Sequence, residues 1–282
     1  MKDIHELRIQ ITAKEKFPRL YCYDLADNHD AQLSKEEILT AVKAAAESNI
    51  KKIRLTGGDP LEYDNIIGLV EEIKGVPEIE TVALSTNAVF LKDKAADLKK
   101  AGLDEIEIYL DTFFEEKYIF MTGGGPIDEV MDGMEAAVSA GMKVRTAVSV
   151  IDGLNNDEIL TFGQFALNEP IDVIFYERPN KEGIRLKDSD NDLKFMPVED
   201  VRNKFKGAVK VPSADPLIEY CKWFEAQGKL GFVNLERSKE YGAEITAEGK
   251  LKASLLDNEP ADLSEVLQKT NTEAVKTALR KL

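Results

Sequence analysis

Four basic residues in strand-like runs set the chemistry open to this 282-residue chain: Arg8 in LRIQIT, Lys52 and Arg54 in KKIRLT, and Arg145 in KVRTAVSV. Side chains alternate across a strand. With Leu7, Ile9 and Ile11, then Ile53 and Leu55, then Val144, Val148 and Val150 turned toward helices, all four cations point to the other, inner face. Glu107 and Asp111 share that face opposite Ile106, Ile108 and Leu110, so the inner surface is expected to be polar throughout. Lysine beside carboxylates is a set suited to acid-base or Schiff-base chemistry, which makes Lys52, Glu107 and Asp111 the catalytic candidates. Burying four unpaired cations costs several kcal/mol each, so something anionic must share the space. Either Glu107 and Asp111 close an internal salt-bridge network, or an anionic ligand enters. Two carboxylates against four cations favour the ligand.

The run continues as Gly57-Gly58-Asp59-Pro60, a turn at the C-terminal end of a strand, where α/β folds gather ligands. Gly57, Gly58, Asp59 and, after the next strand, Asn87 are therefore candidate ligand contacts. For Asp59 the alternative is a carboxylate that stabilises its own turn. Gly123–Gly125 matches neither phosphate-loop spacing and is expected to be a flexible loop. The two cysteines, Cys22 and Cys221, are too few for a disulfide framework or a zinc motif.

The elements that must position these residues alternate as βα units, the pattern of a parallel sheet. Strands are expected at Leu7–Thr12, Lys52–Thr56, Glu80–Ser85, Glu105–Leu110, Lys143–Val150 and Ile171–Tyr176. Helices are expected at Ser34–Ser48, Asp64–Lys74, Leu91–Ala101, Pro126–Ala140 and Asn156–Asn168. Ser34 and Glu37 have the spacing of a capping box. A polar inner face argues against a closed barrel filled with aliphatic layers and for an open, partial (β/α)6 barrel of α/β class. Residues 1–179 form that barrel in this scheme, and residues 180–282 an α+β extension covering it. The extension is expected to hold a helix at Pro216–Gln227 with Cys221, Trp223 and Phe224 as core, strand-like runs at Leu230–Leu235 and Ala243–Leu251, and a helix at Asn271–Leu282.

A net charge of −15 repels phosphate backbones and anionic lipid, which excludes nucleic acid and membrane as partners. No apolar run reads as a signal peptide or a bilayer span. The chain is expected to be cytoplasmic, with a small anionic ligand as its partner.

Several segments, in order, resemble the radical S-adenosylmethionine (radical SAM) GTP 3',8-cyclases of molybdenum cofactor biosynthesis: KKIRLTGGDPL, STNA (Ser85–Ala88), YLDT (Tyr109–Thr112), GLNNDEI (Gly153–Ile159) and ITAEGKLKASL (Ile245–Leu255). The resemblance implies a partial barrel in which Arg8, Lys52 and Arg54 hold the GTP triphosphate, Arg145 replaces an inward lysine, and Asp59 accepts from the S-adenosylmethionine ammonium. It also implies two iron-sulfur clusters, and there the chain departs. The first trio of cysteine positions reads Glu15, Arg19 and Cys22. The second reads Arg237, Glu240 and Ser254, and two arginines of the following family strand fall on Gly242 and Glu244. A [4Fe-4S] cluster that cleaves S-adenosylmethionine needs three thiolates. The expectation is a pseudoenzyme with no iron-sulfur cofactor, holding S-adenosylmethionine or GTP as bound ligand. The alternatives are a non-radical enzyme built on Lys52 and a radical cyclase.

Overall fold

The computed structural model describes residues 4–21, 28–178, 193–213, 215–235, 242–254 and 259–282. Its first part is β1 Glu6–Thr12, α1 Lys35–Ala46, β2 Lys52–Gly57, α2 Ile66–Lys74, β3 Thr81–Thr86, α3 Ala95–Lys100, β4 Glu105–Tyr109, α4 Glu115–Thr122, α5 Ile127–Ser139, β5 Lys143–Val148, α6 Ile159–Asn168 and β6 Asp172–Glu177. Each expected strand is present to within two residues at either end. The capping box at α1 forms as well: Ser34 Oγ accepts from the Glu37 amide, and the Ser34 amide donates to Glu37 Oε2 at 2.7 Å. Helix α4 was not expected. Its run EEKYIFMT buries only Tyr118, Met121 and Thr122, which leaves no clear apolar stripe to read.

Beyond residue 179 lie α7 Val198–Arg202, β7 Val209–Lys210, β8 Glu219–Lys222, β9 Leu230–Asn234, β10 Gly242–Ile245, β11 Lys250–Lys252, β12 Ala261–Asp262, α8 Ser264–Gln268 and α9 Thr272–Leu279. These strands join the same sheet, in the order β12-β11-β10-β1-β2-β3-β4-β5-β6-β9-β8-β7. From β10 to β9 every neighbour is parallel. The barrel stays open, and the C-terminal segment adds one parallel strand to each side of its first six.

Two expectations are corrected here. The helix placed at Pro216–Gln227 is the strand β8 and a turn, because Tyr220 packs on Ile174 and Val233 while Cys221 packs on the opposite side among the helices. That is the period of a strand, not of a helix. Phe224, expected in the core, is 66% exposed. The inner face is also not polar throughout. Ile174 lies on the same side of β6 as Tyr176, whose hydroxyl reaches Glu107, and with Val233, Leu235 and Ile218 it forms an apolar wall. Among the described residues, no helix is long and apolar enough to cross a membrane.

Candidate functional site

The inner face holds two layers. The lower one is built from residues at and near the N-terminal ends of the strands, and it collects all four expected cations. Arg54, wholly buried, donates from Nε to Glu6 Oε1 at 2.9 Å. Lys52 Nζ lies 2.7 Å from Glu105 and 3.4 Å from Glu6. Arg8 is 3.5 Å from Glu6 and 3.9 Å from Glu244. Arg145 Nε is 2.7 Å from Glu107, and its Nη1 is 3.7 Å from Asp215.

The expected imbalance of four cations over two carboxylates therefore does not exist. Five carboxylates meet the four cations, and Asp111 is not among them. Alternation already places Glu6 and Glu105 inward: Glu6 shares a face with Arg8, one residue before the expected strand, and Glu105 shares one with Glu107. Glu244 could not be located from sequence, because it comes beside Arg8 only when β10 pairs with β1.

Electrostatics follow the pairing. Burial works to raise the carboxyls of Glu107 and Glu105, but the facing cations outweigh it and bring both down to about 2; for Glu107 these are chiefly Arg145 and Arg54, for Glu105 chiefly Lys52. Glu6 is likewise held well below the usual carboxylate range, burial being overcome by Arg54, Lys52 and Arg8. Arg8 Nε and Arg54 Nη2 nevertheless remain buried without a hydrogen bond, their nearest carboxylates being 3.9 and 3.7 Å away. A cleft of about 220 Å3, lined in part by Lys52, Glu105, Lys143 and Arg145, opens at this end of the barrel.

The upper layer is built by the loop after β1 and the C-terminal ends of the strands. Gly57 and Gly58 let two backbones touch: a Cβ on Gly58 would lie 2.0 Å from the Lys14 carbonyl oxygen, and Gly57 has φ 137°. The Gly58 and Asp59 amides donate to the carbonyls of Thr12 and Lys14. Asp59 is fully buried and accepts from the Leu61 amide, Thr86 Oγ1 and the Asn87 amide. Burial pushes its carboxyl up to about 6. This is a carboxylate stabilising its own turn. Asn87 accepts from the Val89 amide, and its side-chain amide faces the Glu15 carboxyl. Asp111 accepts from the Tyr21 hydroxyl and from the Ser149 amide at 2.7 Å, and burial raises its carboxyl.

Lys52 and Asp111 are not brought together. Asp111 is six residues beyond Glu105, the partner of Lys52, or about 20 Å along the strand. Glu107 pairs with Arg145 rather than with Lys52.

The upper layer is also where the family's first cluster would sit. Cys22, Arg237 and Glu240 lie outside the described residues. Arg19 lays its guanidinium 3.7 Å from the Tyr109 ring centroid, a cation on an aromatic face. Glu15 is half-buried, its carboxyl pushed up to about 8 by burial and by the nearby Asp59 and Glu62 carboxyls, against the opposing pull of Arg19. Between Phe17, Arg19, Asn87, Tyr109, Asp111 and Met121 a cavity of about 10 Å3 remains, room for one water at most. Iron held by sulfur needs soft thiolates, and neither a guanidinium nor a hard, proton-holding carboxyl supplies one. Cys221, the other thiol, is buried on β8 in the core packed against the helices. Ser254, at a position of the second cluster, is buried and offers a hydroxyl. Among the described residues at these positions, Glu15, Arg19 and Ser254 offer a [4Fe-4S] cluster no thiolate.

The radical SAM superfamily model matches residues 20–166, in keeping with the open, parallel α/β barrel of the fold. The chain is 34% identical over 290 aligned residues to the GTP 3',8-cyclase of Alkaliphilus metalliredigens (strain QYMF), covering 99% of this chain and 89% of that one. It is 33% identical over 284 residues to that of Heliobacterium modesticaldum (strain ATCC 51547 / Ice1), covering 95% and 86%. Its fold is similar to the crystal structure of Streptococcus suis SuiB bound to S-adenosylmethionine, with a TM-score of 0.69 at 16% identity over 99% of this chain and 68% of that one. It is also similar to anSMEcpe with bound AdoMet and Cp18Cys peptide, with a TM-score of 0.60 at 9% identity over 96% and 82%. The chain belongs to the GTP 3',8-cyclase family of that superfamily.

Proposed function

We propose that this chain is an iron-free member of its family that keeps the barrel as a ligand-binding chamber and has no radical chemistry. The observation that carries the proposal is the donor set at the first cluster position, where Glu15 and a ring-stacked Arg19 stand in a chain with two cysteines. The ligand is a phosphorylated nucleotide or S-adenosylmethionine. Support for a ligand comes from Arg8 Nε and Arg54 Nη2, buried N–H groups whose nearest carboxylates lie 3.9 and 3.7 Å away, since buried donors without acceptors are rare and call for an acceptor-bearing partner.

Anaerobic reconstitution with iron and sulfide tests the first half: the expected result is no stoichiometric iron and no visible charge-transfer bands. Thermal melts with GTP, ATP and S-adenosylmethionine test the second, and no shift with any of them at millimolar concentration removes the chamber.

A second function, GTP 3',8-cyclase activity in molybdenum cofactor biosynthesis, is favoured by the extent of the likeness to the Alkaliphilus enzyme, which spans 99% of the chain. Stoichiometric iron uptake together with 5'-deoxyadenosine formation and conversion of GTP to a 3',8-cyclised product would establish it in place of the first.

A further inference from the structure

Residues 202–210, RNKFKGAVK, carry four cations and no acid in a chain of net charge −15. They leave α7 and enter β7, the last strand on that side of the sheet, which among the described residues pairs with β8 alone. Between α7, the loop that follows it and the helix side of β8 lies a groove of about 620 Å3, outside the barrel. Arg202, Lys206 and Lys210 line it, the buried Phe205 and Cys221 form its floor, and Glu219 is the one acid among its lining residues. Arg202 donates to Glu219, and Lys210 lies 3.0 Å from the same carboxylate. Three cations therefore share one counter-ion, and the Lys206 ammonium makes no ion pair among the described residues.

A row of rings carries the apolar floor out to the surface. Phe205 packs edge-on against Trp223 at 5.2 Å, and Trp223 against Phe224 at 5.0 Å. The Trp223 indole N–H donates to the Lys206 carbonyl at 3.1 Å, which fixes the rings beside the groove's unpaired lysine. Phe224 is 66% exposed at φ 52°, a left-handed conformation that glycine adopts at lower cost. A glycine would make the turn; the phenylalanine adds an exposed apolar face that the fold does not use.

We infer that this groove docks an acidic segment of a partner protein, with carboxylates on Arg202, Lys206 and Lys210 and an apolar side chain on Phe224. Charge complementarity selects that partner. A nucleic acid backbone or an anionic bilayer spreads its charge well past the groove, where a chain of net charge −15 repels it. A short acidic segment covers the cations and ends there. Docking at this surface is independent of what the barrel chamber holds.

Fluorescence anisotropy with a short labelled peptide of alternating glutamate and leucine tests the docking. The comparison probes are the same peptide with lysine for glutamate, an oligothymidylate of equal length and phosphatidylserine vesicles. The wild-type protein is expected to bind the acidic peptide in preference to all three, more weakly as salt is added. Lys206→Glu is expected to weaken it about tenfold. Phe224→Gly is expected to weaken it about fivefold without lowering the melting midpoint. Glu219→Gln, which frees Arg202 and Lys210 from their shared carboxylate, is expected to tighten it about threefold. No binding of the acidic peptide, equal affinity in a folded Lys206→Glu protein, or tighter binding of the oligothymidylate or the vesicles overturns the inference and leaves the reading of the barrel untouched.

Discussion

The two layers of the barrel interior hold the same kinds of side chain and treat them in opposite ways. In the lower layer Glu6, Glu105 and Glu107 sit against guanidinium and ammonium groups and lose their protons far more readily than usual. In the upper layer Glu15, Asp59 and Asp111 are met chiefly by hydroxyls, amides and ring-stacked arginines, and burial raises all three carboxyls above their ordinary values. Coulombic contact outweighs desolvation in one layer, and desolvation wins in the other. A carboxylate count alone therefore says little about a site, because the geometry of the partners decides which form is favoured.

The largest expected effect comes from removing the shared counter-ion. Glu6→Ala leaves Arg54 buried with its closest partner gone, and a loss of roughly 3–5 kcal/mol is expected in urea unfolding. A loss below about 1 kcal/mol would mean that the lower layer is not held by its ion pairs.

The Tyr21–Asp111 contact tests the upper layer. Tyr21→Phe removes a donor from a buried carboxyl and is expected to cost about 1–3 kcal/mol. The cost should be smaller in acid, where Asp111 is protonated.

The pH response separates the layers by sign. Glu105 and Glu107 fall from an ordinary 4.5 to about 2, so their stabilisation is present above pH 4.5 and is lost as pH falls toward 2. Glu15 rises from 4.5 to about 8, so its contribution is present below pH 4.5 and is lost as pH rises through 8. Glu15→Gln is accordingly expected to be neutral at pH 4 and to raise the melting midpoint by roughly 3 °C at pH 8. The same gain at both pH values would contradict the raised carboxyl.

The smallest effect is at the rim. Lys143, more than half exposed where it pairs with Glu105, is expected to cost under about 1 kcal/mol on replacement by alanine. A larger loss would make the rim pair part of the buried network.

Much of the fold was legible because the first six strands are fixed by local alternation: Leu7, Ile9 and Ile11 under the helices and Arg8 inward follow from the period of the pleat. The segment after residue 179 was not, since β8 is four residues long, and a window that short cannot separate a strand from a helix turn. Of the site, the four cations were readable one strand at a time, and the misfit of Glu15 and Arg19 with a cluster follows from residue chemistry alone.

The sequence by itself determined the barrel's strands, the inward cations and the shortage of thiolates, all of which are properties of single residues or of one strand's period. Only the tertiary structure decided what those cations face. Glu244 reaches Arg8 through a strand pairing that spans more than two hundred residues, and Asp215 reaches Arg145 from the segment before β8. Charge balance depends on distances between segments, and local alternation carries no information about which distant strands become neighbours.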